Sequence, residues 1–148
     1  MSVYVKRRDL PRACVYLEAF AHATEDVNKV IQAVLNVLPE EFRERVTPST
    51  EKLEGYYGNA ITVIRLTVEG EREVKAYLKA LAEKLTLNDK AYLRSSLNAR
   101  IDKGSFYLRL DKDEAYRGSL RIREEGTSIK VRITVKKIVE ALKELKVL

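Results

Sequence analysis

The sequence predicts an α+β fold, a largely antiparallel sheet with helices packed mainly on one of its faces. Three features predict it. Segments that alternate with period two stand early and late in the chain, segments with apolar residues at helical spacing stand between and after them, and glycine-containing turns join successive strands. The first strand is expected from Arg12 to His22, with Val15, Leu17, Ala19 and Ala21 on one side and Tyr16, Glu18 and Phe20 on the other. Thr24 then offers a hydroxyl cap, with Glu25 and Asp26 as negative charge in the first turn. Val27, Val30, Ile31, Val34, Leu35 and Leu38 follow at helical spacing before Pro39. A polar strand from Thr50 to Tyr56 and an apolar one from Ile61 to Val68 flank Gly58 and Asn59, which suit the central positions of a tight hairpin turn. After Gly70, the residues Val74, Tyr77, Leu78, Leu81, Ala82 and Leu85 mark a second helix. Leu93, Leu97 and Ile101 mark a third, beginning near the cap candidates Asn88 and Asp89. Three strands are expected next, Ser105 to Leu110, Ser119 to Arg123 and Ser128 to Val135, the last two joined by Glu125, Gly126 and Thr127. A closing helix carries Ile138, Leu142 and Leu145 on one stripe.

No Gly, Ser and Pro stretch is long enough for a linker and no internal repeat occurs, so residues 1–148 read as one domain, with 1–11 a candidate flexible basic arm. A hydrophobic fraction of 45% with 34% charged residues excludes a disordered chain, and no apolar run approaches the roughly 20 residues of a membrane span. The basic start lacks the apolar stretch and cleavage site of a signal peptide, so a cytoplasmic location is expected. One cysteine, Cys14, and one histidine, His22, cannot supply a four-ligand zinc site or an internal disulfide, and no metal or cofactor is expected. Scarce Gln, Met and Cys beside abundant Glu, Lys and Arg suggest a thermophile.

A net charge of +6 favours a polyanion partner, and its distribution says where. From Arg100 to Lys137 there are 11 basic and 6 acidic residues, and residues 1–12 add a surplus of three, whereas Ala13 to Ala99 holds 11 basic and 13 acidic. In the late strands, Phe106, Leu108, Leu110, Leu120, Ile122, Ile129, Val131, Ile133 and Val135 point one way. Alternation then sends Tyr107, Arg109, Arg121, Arg123, Lys130 and Arg132 to the other face. Like charges on adjacent strands repel, and a phosphate backbone relieves that repulsion. The alternative is a solvated half-buried sheet whose cations pair with Glu18, Glu124 and Glu125. Tyr56 and Tyr57 beside the glycine turn are candidates for stacking on unpaired bases, against the alternative of ordinary packing within a hairpin. His22, Glu25 and Asp26 together could form an acid/base pair, but Thr24, Glu25 and Asp26 also have a complete explanation as residues that start a helix. Nucleophile-elbow, phosphate-loop, zinc-protease and dinucleotide motifs are absent from the sequence.

Several segments occur together in an order that resembles an archaeal family. They are His22-Ala23-Thr24-Glu25-Asp26 with the Val-rich helix, Gly55-Tyr56-Tyr57-Gly58-Asn59, Arg100-Ile101-Asp102, and Leu108-Arg109-Leu110-Asp111-Lys112 leading to Ala115 and Gly118. The family is that of archaeal RNA-binding-domain proteins, also called predicted exosome subunits, and the resemblance covers about Arg12 to Val135. It implies an α+β fold like that of the large-subunit ribosomal protein L-five. Where the family pattern carries Gln after Asp-Lys and His between Gly and Tyr, this chain has Asp113 and Tyr56.

The sequence therefore predicts a non-enzymatic RNA-binding protein acting in archaeal RNA processing, associated with the exosome or with ribosomal assembly components. Arg109, Arg121, Arg123, Lys130, Arg132 and Lys112 are the expected cations, and Tyr107, Tyr56 and Tyr57 the expected stacking residues. About four phosphate contacts on single-stranded RNA imply a log-log salt slope near minus three. The alternatives are a subunit that docks an acidic protein, and a small RNA-modifying or phosphoester-cleaving enzyme built on His22 with Glu25 or Asp26.

Overall fold

A computed structural model describes residues 12–55 and 57–148, so the expected basic arm at 1–11 and Tyr56 lie outside the described residues. Strand β1 (Cys14–His22) leads through a turn to α1 (Val27–Val37), followed by the short α2 (Glu40–Arg43). Strands β2 (Ser49–Glu54) and β3 (Ala60–Glu69) form a hairpin. Helices α3 (Glu71–Lys84), α4 (Leu87–Ser95) and α5 (Leu97–Arg100) come next. The rest comprises β4 (Ile101–Asp102), β5 (Ser105–Asp111), α6 (Lys112–Tyr116), β6 (Ser128–Thr134) and α7 (Ile138–Glu144). The six strands form one sheet in the order β2-β3-β1-β6-β5-β4, and every neighbouring pair is antiparallel.

Several local expectations shift for physical reasons. The cap of α1 is Asp26, whose carboxylate accepts the Asn28 N–H at 2.9 Å, and not Thr24. Glu25 is already engaged in accepting the His22 N–H at 3.1 Å. The cap of α4 is Thr86, which accepts the Asp89 N–H at 3.1 Å, because Asp89 stands three residues into the helix and directs its carboxylate elsewhere. The β2–β3 connection is a five-residue loop, 55–59, closed by Gly55 N–H donating to the Asn59 carbonyl, with Gly58 at φ +78°, and not a two-residue Gly-Asn turn. Helix α3 starts at Gly70, whose φ of +119° lets the chain turn sharply out of β3 while its N–H bonds the Ala13 carbonyl.

The largest correction concerns Ser119 to Arg123, which do not form a strand. After β5 the chain makes the short helix α6, capped by Asp111 accepting the Glu114 N–H at 2.8 Å, and this uses the residues a longer strand would need. What remains reaches β5 as one bridge, Leu110 to Ile122, flanked by Asp111 N–H to the Arg121 carbonyl (2.8 Å) and Arg123 N–H to the Arg109 carbonyl (3.0 Å). The segment still lines the outer edge of β5, and Leu120 is still buried.

Alternation divides the sheet into two unlike faces. One carries Val15, Leu17, Ile64, Leu66, Phe106, Leu108, Ile129, Val131 and Ile133, which join Val30 and Val34 of α1, Val74, Leu78 and Leu81 of α3, and Ile138 and Leu142 of α7 in one core. On the other face Cys14, Tyr16 and Val63 are buried but stand outside that core. Helices therefore cover one face, as predicted. Among the described residues no helix is long and apolar enough to cross a membrane.

Candidate nucleic-acid interface

The face turned away from the core is organised by register. Pairing of β5, β6 and β1 sets Tyr107 beside Arg132 and Arg132 beside Tyr16 in one row, and Arg109 beside Lys130 and Lys130 beside Glu18 in the next. Glu18 in turn faces Arg65 of β3. The first row alternates ring, cation and ring. The Arg132 guanidinium lies 5.2 Å from the centre of the Tyr107 ring and 5.9 Å from that of Tyr16, within cation–π range.

The second row is part cation and part ion pair. Glu18 is 2% exposed, and its carboxylate accepts the Tyr16 hydroxyl at 2.9 Å, with Arg65 Nε at 3.6 Å and Lys130 Nζ at 4.0 Å. Arg65 also reaches Glu51 at 2.9 Å. Burial, and then the Glu18 carboxylate, push the Tyr16 hydroxyl far above its ordinary value of 10.0, so it stays a donor. Lys130 stands 5.5 Å from the centre of the Phe20 ring. Arg109 is exposed and makes no ion pair with the described residues. Arg109 and Lys130 are thus neighbours at the β5–β6 side of the face, with Lys130 also facing Glu18.

The other predicted cations have varied placements. Arg121 and Arg123 are about half exposed at the β5 edge, and each has an acidic partner, Asp89 at 3.3 Å and Asp111 at 3.1 Å. Lys112 is a correction: its ammonium is buried and donates to the Phe20 carbonyl at 2.8 Å and to Glu25 at 2.8 Å, so it ties α6 to the end of β1 and is not presented on the face. Tyr57 is 86% exposed at the hairpin loop, beyond the other end of β1 from the Tyr107 row. Of the acid/base candidates, Glu25 pairs with Lys112 and Asp26 caps α1, which gives both carboxylates structural work.

Sequence reasoning missed Tyr92 and Arg100. Helices α4 and α5 bring them to the rim of the β5 side, where Arg100 is 8% exposed and donates to Ser96 Oγ at 2.7 Å, to the Tyr107 carbonyl at 3.3 Å and to Glu124. The Arg100 guanidinium lies 5.2 Å from the centre of the Tyr92 ring. Rim and sheet enclose a cleft of about 490 Å³ that contains both cross-strand rows, and a second hollow of about 430 Å³ shares Arg109 and Lys130 with it. Helix periodicity contains no signal for Tyr92, because the ring is on the solvent side of α4. Tyr16 carried such a signal, its period-two placement with Glu18 on the face of β1 opposite the core.

A family model described as RNA binding matches residues 14–135. The chain is similar to the RNA-binding protein PAB1135 of Pyrococcus abyssi, with 36% identity over 124 residues, 82% of this chain and 80% of that protein. It is 35% identical over 111 residues to the uncharacterized protein MJ0213 of Methanocaldococcus jannaschii, 73% of this chain and 74% of that one. Among solved structures it resembles the protein AF2318 from Archaeglobus fulgidus, with a TM-score of 0.74 and 28% identity over 89% of this chain and 97% of that one.

Proposed function

The chain belongs to the archaeal RNA-binding family whose model spans residues 14–135, and on that footing we propose that it binds RNA on the sheet face opposite its core. The observation that carries this reading is the register that seats Arg109 next to Lys130, beside the Tyr107–Arg132–Tyr16 row. Lys130 also lies 4.0 Å from the Glu18 carboxylate, whereas Arg109 makes no ion pair with the described residues, and a phosphate beside Arg109 supplies the missing anion. Arg109 and Lys130 hold the backbone, Arg121 and Arg123 extend the positive rim, and Tyr107 and Arg132 offer stacking planes to bases. Tyr57 supplies a second contact at the hairpin loop. At the finer level, the protein acts in RNA processing as a partner of exosome or ribosomal assembly components.

The test is fluorescence anisotropy with a labelled single-stranded RNA across a salt series. Arg109→Glu leaves every described ion pair and the core in place. It should weaken binding and flatten the salt slope by about 0.7, with an unchanged melting curve. Equal affinity of variant and wild type would remove Arg109 from the interface. Co-purification of a protein partner that survives ribonuclease, with no RNA affinity in the purified chain, would instead make the face a dock for an acidic protein.

A further inference from the structure

The basic face carries a recess between the α4–α5 rim and the Tyr107–Arg132–Tyr16 row. Its volume of about 490 Å³ falls within the range of about 300–1,000 Å³ usual for small-molecule sites, and it is far too small for a double helix. Its walls are planar groups. Tyr107 and Tyr16 flank Arg132 on the floor, and Tyr92 with Arg100 forms the rim. Arg100 is fully engaged, to Ser96, Tyr107 and Glu124. Arg132 is not. Its Nε is buried and has no hydrogen-bond partner among the described residues, although a buried N–H is costly to leave unpaired. A guanidinium held between two rings, with the exposed Arg109 lining the same cleft, is complementary to one planar ligand that bears an acceptor on its edge and an anion attached to it.

We infer that this cleft receives a single unpaired nucleotide, its base against Tyr107, an acceptor on the base edge meeting the Arg132 guanidinium, and its phosphate on Arg109. The inference rests on the RNA-binding reading and narrows it to RNA with an unpaired nucleotide, since a base within a duplex is stacked on both sides and cannot enter. Lys130, shared with the neighbouring hollow, then takes the next phosphate along the strand.

The test uses an eight-nucleotide RNA with 2-aminopurine at a central place, offered single-stranded and as a fully paired duplex. The single strand should bind more tightly than the duplex, with a change in 2-aminopurine fluorescence on binding. Tyr107→Leu should weaken the single strand by about 5- to 150-fold, as expected when one stacking contact is lost, and leave the weak duplex affinity alone. Tyr92→Ala, at an exposed helix residue, repeats the comparison without touching the sheet and should also lower single-strand affinity. Equal binding of both RNAs, with no fluorescence response and no effect of either tyrosine variant, overturns the nucleotide site. If Arg109→Glu still weakens both RNAs in that case, RNA binding on the basic row stands without it. Absence of binding to either RNA overturns both readings together.

Discussion

The Lys112 ammonium shows how a single charge can join two elements. Its side chain is 5% exposed, between the Phe20 carbonyl and the Glu25 carboxylate, so removing it leaves a carbonyl and a carboxylate without their donor. Glu25 is about a quarter exposed, which lets water compensate in part. Lys112→Met should therefore cost roughly 1–3 kcal/mol in urea unfolding while leaving the RNA affinity of the folded protein unchanged. A loss of affinity with intact stability would return Lys112 to the interface. Tyr77 poses the opposite case. Its ring fills the core, but its buried hydroxyl has no hydrogen-bond partner among the described residues, and burial raises its pKa. Tyr77→Phe keeps the ring and deletes the unpaired group, so stability should hold or rise by about 1 kcal/mol. A drop of that size would reveal a partner for the hydroxyl.

Among the elements, the edge of β5 depends on two carboxylates. Asp111 caps α6 and accepts the Arg123 guanidinium, while Asp89 of α4 accepts the Ile122 N–H at 3.2 Å and Arg121 at 3.3 Å. Together they hold residues 119–124 along β5 with a single bridge. Burial alone would raise the Asp111 pKa, but the Glu114 N–H and Arg123 outweigh it, and the net shift is below the ordinary 3.8. A carboxyl whose folded value is depressed contributes stability that is present above its unfolded pKa and is lost as pH falls through the folded one. Glu25 is lowered likewise: burial opposes the shift, and the bonds from Lys112 and His22 prevail. Stability should thus be flat near neutrality and fall below about pH 4. Asp111→Asn keeps a capping oxygen and removes the charge, so its unfolding free energy should decline less steeply with acid. An acid profile identical to that of the wild type would exclude Asp111 as a contributor.

At the scale of the whole molecule, salt dependence counts the phosphates held. Four cations acting freely would give a log-log slope near minus three on single-stranded RNA. With Arg121 and Arg123 paired to Asp89 and Asp111, two contacts give about −1.4, one from Arg109 and one from Lys130 once phosphate draws it from the Glu18 carboxylate 4.0 Å away. A measured slope near minus three would mean that RNA displaces both aspartates, and a slope near zero would exclude a phosphate grip.

Much of this was legible in the chain, because period two and period 3.6 are local properties. Val15, Leu17, Ile129 and Val131 had to face a core, Val30 and Val34 had to meet it, and the residues between them had to face away. The strands at β5 and β6 and the basic character of their outer face follow from that alone. What local pattern does not contain is neighbourhood. Leu120 and Ile122 alternate like strand residues, but α6 leaves them only a bridge, and Lys112 reads as one more cation until the fold sets it against Glu25. Tyr92 and Arg100 come from consecutive helices and Tyr16 from the first strand, and no spacing between the two regions predicts a shared cleft. The sequence by itself determined which side of the sheet is charged, since alternation makes every residue's face a consequence of its neighbours. Only the tertiary structure decided which of those charges remain available, since pairing with Glu18, Asp89, Asp111 and Glu25 depends on distances across elements that no one-dimensional pattern records.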